Sequence, residues 1–252
     1  MKVVCIGSGN VATHFALALK KSNAEILQVY SRHQEHAKVL ADQLGAMAIA
    51  DIALIVPDAD LYLIAIKDDA IASICSTLKD IKGLVVHTSG ATPMSVLEGM
   101  SCYGVLYPLQ TFSHSRALDF SHVPLCVEAG SELMLQQVKE LAERLSPLVY
   151  DVDSIQRKVL HLSAVFACNF VNHMYAIGAD ILEAAGLDFE LLKPLIMETA
   201  AKVQHAEPNS VQTGPAIRGD EQTMNRHKEL LADRPELVAI YETLSNSIKK
   251  TL

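Results

Sequence analysis

Six residues into the chain an apolar run over residues 1–6 stops at Gly7-Ser8-Gly9-Asn10-Val11-Ala12, and a helical pattern over residues 11–20 begins at once. A short apolar strand, two close glycines and an immediate helix leave few architectures open. The rest of the first half narrows them further. Strand patterns over residues 26–31, 46–50, 61–66, 84–87 and 104–107 are interleaved with helical ones, among them 34–44 and a helix start at Asp68 and Asp69. That alternation is the mark of a parallel sheet covered on both faces. The nearly unbroken apolar stretch 61–66 suits its middle. Residues 124–128 and 148–152 extend the pattern at the sheet's edge.

After Asp153 the texture changes. Residues 154–185 contain no proline and keep a helical period throughout. Such a helix would span about 45 Å, enough to cross a domain. Further helical patterns cover 191–204, 220–231 and 235–249. The expected fold class is therefore an α/β Rossmann domain, a doubly wound and mainly parallel sheet, over residues 1–152, followed by an all-helical C-terminal domain over 153–252.

The glycine pattern carries the first chemistry. Gly7 would permit a tight turn, Gly9 would let a pyrophosphate approach the backbone, and Ala12 takes the place of a third glycine at the helix–sheet contact. The helix start at Ser8, Asn10 and Val11 supplies free N–H groups and a partial positive charge. About 20 positions later, where an NAD-selective site places an acid on the ribose, this chain has Ser31-Arg32. A carboxylate there would repel a 2'-phosphate, whereas a guanidinium pairs with it. NADP is the expected cofactor. Ala65, Ile66 and Lys67 after the fourth strand, and Ser89 and Gly90 after the fifth, are expected to line the same groove.

Charge limits the partners. With 29 acidic against 21 basic residues the net charge is -8, which suits a small-molecule substrate and argues against nucleic acid or an anionic membrane. No 18-residue apolar stretch occurs, and the chain starts on a strand pattern instead of a charged and apolar leader. A cytoplasmic location is expected. Five cysteines, Cys5, Cys75, Cys102, Cys126 and Cys168, show no C-x-x-C spacing and read as reduced. His33 and His36 form a close pair without a third ligand in view, so no metal site is expected. Ser113-His114-Ser115 reads as a polar turn, not a nucleophilic site.

On a wheel at about 100° per residue, Lys158, His161, Asn169, Asn172, His173 and Asp180 fall in one sector of the long helix, beside an apolar one. The polar stripe could be a solvent face, a line of satisfied core hydrogen bonds or the wall of a substrate cleft. Downstream, Gln212-Thr213-Gly214-Pro215-Ala216 marks a loop, and Arg218 beyond it could clamp a carboxylate.

These features together resemble the superfamily of pyrroline-5-carboxylate reductase, 6-phosphogluconate and 3-hydroxyisobutyrate dehydrogenases and ketopantoate reductase. Residues 87–90, 106–112, 166–173 and 212–216 look like the motifs of a bacterial family of Rossmann-like NADP oxidoreductases with a helical C-terminal domain of unknown function. The resemblance runs end to end and implies a helical bundle that often dimerises, so a homodimer through the helical domain is expected. It also exposes a gap, because the superfamily's hydroxyacid dehydrogenases carry a catalytic Lys where Val165 and Phe166 stand ahead of Asn169. His173 is the first substitute as proton donor, with His161 in reserve. The expected function is hydride transfer from NADPH to a C=O or C=N carbon of a small carboxylate-bearing metabolite. In that scheme His173 or a water it orients delivers the proton, Asn169 positions the oxygen or nitrogen, and Arg218 holds the carboxylate. The rivals are an NADP-binding sensor without turnover, which the missing Lys suits, and an adenosylmethionine-dependent methyltransferase, which Ser31-Arg32 suits poorly.

Overall fold

A computed structural model describes residues 1–78, 80–113 and 118–250. His114 and Ser115 of the polar turn lie outside the described residues. By compactness the chain divides into Met1–His173 and Met174–Leu252.

The first unit is built on an eight-stranded sheet in the order β3-β2-β1-β4-β5-β6-β7-β8. The strands are β1 (Lys2–Ile6), β2 (Glu25–Tyr30), β3 (Met47–Ile49), β4 (Leu61–Ile64), β5 (Leu84–His87), β6 (Tyr103–Pro108), β7 (Leu125–Ala129) and β8 (Val149–Asp151). All neighbours run parallel except β6 and β7. Helices α1 (Asn10–Lys21), α2 (Gln34–Leu44), α3 (Asp68–Thr77) and α4 (Glu132–Glu143) cover it. Because side chains alternate along a strand, Val3 and Cys5 of β1 enter one core while Val4 and Ile6 enter the other; Leu63 and Ile64 of β4 divide the same way. Burial of both faces explains why these strands read as unbroken apolar runs and not as alternating ones.

The strand order reverses between β1 and β4, whose carboxyl ends open the crevice where such sheets take ligands. The sequence reading assigns no element to residues 132–143. Helix α4 forms there because Ser131 caps it, its Oγ accepting from Met134 N at 3.3 Å, and because Val138, Leu141 and Ala142 bury against the sheet.

Helix α5 (Ser154–Ala164) opens on a capping box: Asp153 accepts from Ile155 N and Gln156 N at 2.8 Å each, and the Gln156 side chain accepts from Asp153 N at 3.1 Å. A π-helical segment, Val165–Phe170, follows before α6 (Val171–Ala184). That segment shifts the helical phase by roughly one residue, about 100°. A wheel drawn at a constant angle cannot carry across it.

In the second unit, α7 (Lys193–Lys202) precedes α8 (Glu221–Leu230) and α9 (Pro235–Lys249). The last two are joined by His227 Nδ1 and Tyr241 Oη at 2.9 Å and by a Lys228–Glu242 ion pair at 3.3 Å. Among the described residues beyond Asp153 few are buried: Arg157, Ala216, Met224, Leu237 and Ser245. None of the described helices is long and apolar enough to cross a membrane.

Candidate active site

The glycine turn has the shape a dinucleotide needs. Gly7 adopts φ +127°, and a Cβ on it would sit 2.1 Å from the Ala65 carbonyl oxygen, so only glycine fits between β1 and the end of β4. A Cβ on Gly9 would meet nothing within 4 Å, which leaves the backbone open in front of α1. Among the described residues no side chain caps α1, and no acid stands in its first turn. Those N–H groups are free to meet an anion. Asn10 Nδ2 donates to Phe112 O at 2.9 Å, while its Oδ1 is buried without a partner. A bound group offering a donor would satisfy it.

Arg32 is exposed just past β2 and, among the described residues, has no hydrogen-bond or ion-pair partner. Ser31 N is spent on Ile49 O at 3.1 Å. At the end of β4, Ala65 N donates to Ile6 O at 2.8 Å, Ile66 is half-buried, and Lys67 is exposed as the residue before α3. Ser89 turns inward: its Oγ accepts from Ala91 N at 3.1 Å and Thr92 N at 2.9 Å and donates to Thr92 Oγ1 at 3.0 Å. Gly90 is buried against the rings of His161 and Tyr107, where a Cβ would approach to 2.7 Å and 2.9 Å.

A cleft of about 390 Å³ lies between the segment leaving β6 and the long helix; Tyr107, Leu109, Gln110 and Thr111 line one side and His161, Ala164, Cys168 and Asn169 face them. The 109–112 segment therefore runs from this cleft to Phe112, whose carbonyl holds Asn10 at the glycine turn. Tyr107 Oη and His161 Nδ1 lie 3.0 Å apart with their rings edge to face. Among the described residues the His161 Nε2 has no hydrogen-bond partner, and the ring is half-buried. Burial pushes the Tyr107 hydroxyl up to about 12, with the nearby Cys126 adding to the shift and Arg157 opposing it. Tyr107 thus stays a neutral phenol. Asn169 lines the cleft, and among the described residues its amide has no hydrogen-bond partner.

His173 does not line this cleft; it is exposed one turn beyond, past the π segment. Arg218 belongs to the second unit, where it is exposed beside Asp220. The structure thus gathers Asn169 with the reserve histidine, His161. Sequence reasoning missed the Tyr107 partnership and Arg157 altogether. Four-residue spacing from Arg157 to His161 was the available signal, but an Arg near a helix start is ordinarily solvated.

Behind the cleft, Arg157 is fully buried and forms an ion pair with Glu128 on β7. His87 at the end of β5 is also fully buried; its Nδ1 accepts from Ser89 N at 3.2 Å, so the proton sits on an Nε2 that, among the described residues, has no partner at hydrogen-bond geometry. Burial, and then the charge of Arg157, hold its imidazole down to about 3 against the opposing pull of the Pro93 backbone. The unfolded chain protonates near the ordinary value of 6.5 and the folded one does not, so stability is full above that value and declines as pH falls toward 3. The expected slope in this window is on the order of 1 kcal/mol per pH unit for this one group. Urea unfolding at pH 7 and pH 5 measures it, and His87→Asn, whose oxygen can still accept from Ser89 N, should flatten it.

Residues 123–248 match the family model described as a domain of unknown function, DUF2520. Residues 2–88 match that of the NADP oxidoreductases, coenzyme F420-dependent. A crystal structure from Bacteroides fragilis, provisionally assigned to the NADP oxidoreductases, is 46% identical over 99% of this chain and 98% of that one, with a TM-score of 0.93. An imine reductase from Myxococcus stipitatus, solved with NADP+, shares the fold at 16% identity, with 99% and 93% of the two chains covered and a TM-score of 0.69. Pyrroline-5-carboxylate reductase of Aquifex aeolicus is 28% identical over 99 residues, 39% of this chain and 37% of that enzyme. The match thus spans little more than a third of that curated relative's length.

Proposed function

Since the chain belongs to the family that carries the DUF2520 domain behind an NADP oxidoreductase domain, we propose that it is an NADPH-dependent reductase of a C=N or C=O group in a small molecule. The observation that carries this reading is the Tyr107–His161 pair, set in a cleft whose wall is tied through Phe112 to the glycine turn.

NADP fits the residues present. The backbone of Gly7, Ser8, Gly9, Asn10 and Val11 would hold its pyrophosphate, Ser31 and Arg32 its 2'-phosphate, and when bound it would supply the hydride. His161 manages the proton. In the protonated ring both nitrogens donate, Nδ1 to the Tyr107 oxygen and Nε2 toward the cleft. Loss of the Nε2 proton to the substrate nitrogen or oxygen leaves the Nδ1–H tautomer with the Tyr107 contact intact. Because Tyr107 keeps its own proton, no phenolate forms to trap the charge on the ring. Asn169 orients the substrate atom that receives the proton.

Among the described residues the cleft lining offers no Lys or Arg to pair with a carboxylate.

Two experiments test the main reading. Calorimetric titration with NADPH, NADH and adenosylmethionine should give binding of NADPH, weaker binding of NADH and none of the third. Arg32→Ala should weaken NADPH roughly ten-fold to a hundred-fold, the worth of one charge-assisted contact, and leave NADH nearly unchanged. A screen of cyclic imines and keto acids that follows NADPH absorbance then separates a reductase from a sensor. Tight binding with no consumption by any acceptor would favour the sensor.

In the second unit Leu191 is exposed at 64%, Leu195 at 62% and Met197 at 69%. Large apolar side chains left open in this way mark an association surface. A second copy of this chain is the proposed occupant. A cytoplasmic enzyme is the setting proposed for this chemistry.

A further inference from the structure

The reductase reading makes no use of Arg157, a charged side chain removed from water entirely. Its hydrogen bonds are unusually distributed. Nε donates to Ser89 O at 3.2 Å; one terminal nitrogen donates to Thr92 O at 2.7 Å and to Ser154 Oγ at 3.2 Å; the other meets the Glu128 carboxylate. Ser154 Oγ in turn donates to Glu128 at 2.8 Å and accepts from Met94 N at 2.9 Å. One planar fork therefore joins the turn after β5, strand β7 and the amino end of α5. A Lys, with its donors on a single atom, could not do the same.

Those are the segments that surround the reactive pair. Tyr107 lies on β6, which is bonded to β5 on one side and β7 on the other. Gly90, next to Ser89, backs the imidazole of His161. His161 follows Arg157 by four residues, one turn along the same helix face. A buried ion pair is a poor source of stability compared with apolar side chains of like volume. Its geometry, by contrast, fixes the rotation and height of the helix at that turn.

We infer that Arg157, with Glu128, is a positioning residue that sets His161 against Tyr107. The inference uses the reductase reading only to say why His161 must be held, and its test is independent of cofactor. The experiment compares the wild type with Arg157→Met combined with Glu128→Leu, which removes both charges and retains the volume, and with Arg157→Lys. The ring 15N signals of His161, identified by their loss in His161→Gln, report whether Nδ1 is hydrogen-bonded. In the double variant they are expected to move to the positions seen in Tyr107→Phe, while thermal stability and NADPH affinity stay near wild type. With a substrate in hand, kcat should fall on the order of ten-fold to a hundred-fold, the cost of a displacement near 1 Å, at unchanged KM for NADPH. Arg157→Lys should not restore either readout. His161 signals that remain at wild-type positions in a folded variant overturn the inference, as does failure of both variants to fold, which would make the network a folding requirement. If the wild type binds no NADPH, the reductase reading falls while the ring signals still decide this one.

Discussion

His161→Gln is expected to lower turnover by about 10²- to 10⁴-fold, the usual contribution of a positioned general acid, with NADPH affinity unchanged. The expectation follows from atoms that can be named. Nδ1 is engaged by Tyr107 at 3.0 Å, Nε2 has no partner among the described residues, and the ring lines the cleft with Asn169. Tyr107→Phe removes the group that fixes the ring without removing the acid, so a smaller loss, roughly ten-fold, is expected. His173→Ala supplies the contrast, since that side chain is outside the cleft and its loss should cost little. Steady-state rates of NADPH oxidation with one acceptor decide among the three. Equal losses for His161 and His173 variants would remove the assignment of the acid to His161.

Leu191→Glu together with Leu195→Glu is expected to convert a dimer into monomers. Ultracentrifugation reads the outcome as a change from twice the chain mass to the 27.4 kDa of a single chain. The sheet unit buries two full apolar clusters, whereas beyond Asp153 the buried apolar residues among those described are Ala216, Met224 and Leu237. A helical segment with so little interior gains too little from its own packing to offset the entropy of ordering it. Covering large apolar side chains with a second copy would contribute about 1.5–3 kcal/mol for each one fully buried. Two glutamates placed there would instead carry charge into the contact. A variant that still sediments at twice the chain mass would contradict the dimer proposal.

The predictions differ in how much of their basis is legible in the sequence. Arg32 depends on a local offset: the glycines, the second strand and the residue at its end are close along the chain, and the βαβ unit that joins them has one handedness. Helix α2 over Gln34–Leu44 and strand β5 over Leu84–His87 coincide with their sequence patterns for the same reason. Period and caps are local properties. The proton donor is a different case, because the wheel that groups His161 with His173 assumes a uniform helix. The π segment at Val165–Phe170 breaks that assumption, and it leaves no mark in the periodicity on either side.

What the residues determined unaided was the part governed by near neighbours: the Gly7 turn, the apolar strands buried on both faces, the change to helices after Asp153, and an arginine where an acid would select the other dinucleotide. What tertiary structure alone decided was which distant groups meet. Tyr107 and His161 stand 54 positions apart, and Arg157 reaches residues 68, 65 and 29 positions away. No pattern of period two or 3.6 encodes such separations. They are set when α5 packs against the turn after β5, the end of β6 and Glu128 on β7, where one buried guanidinium finds its carboxylate and two carbonyl oxygens.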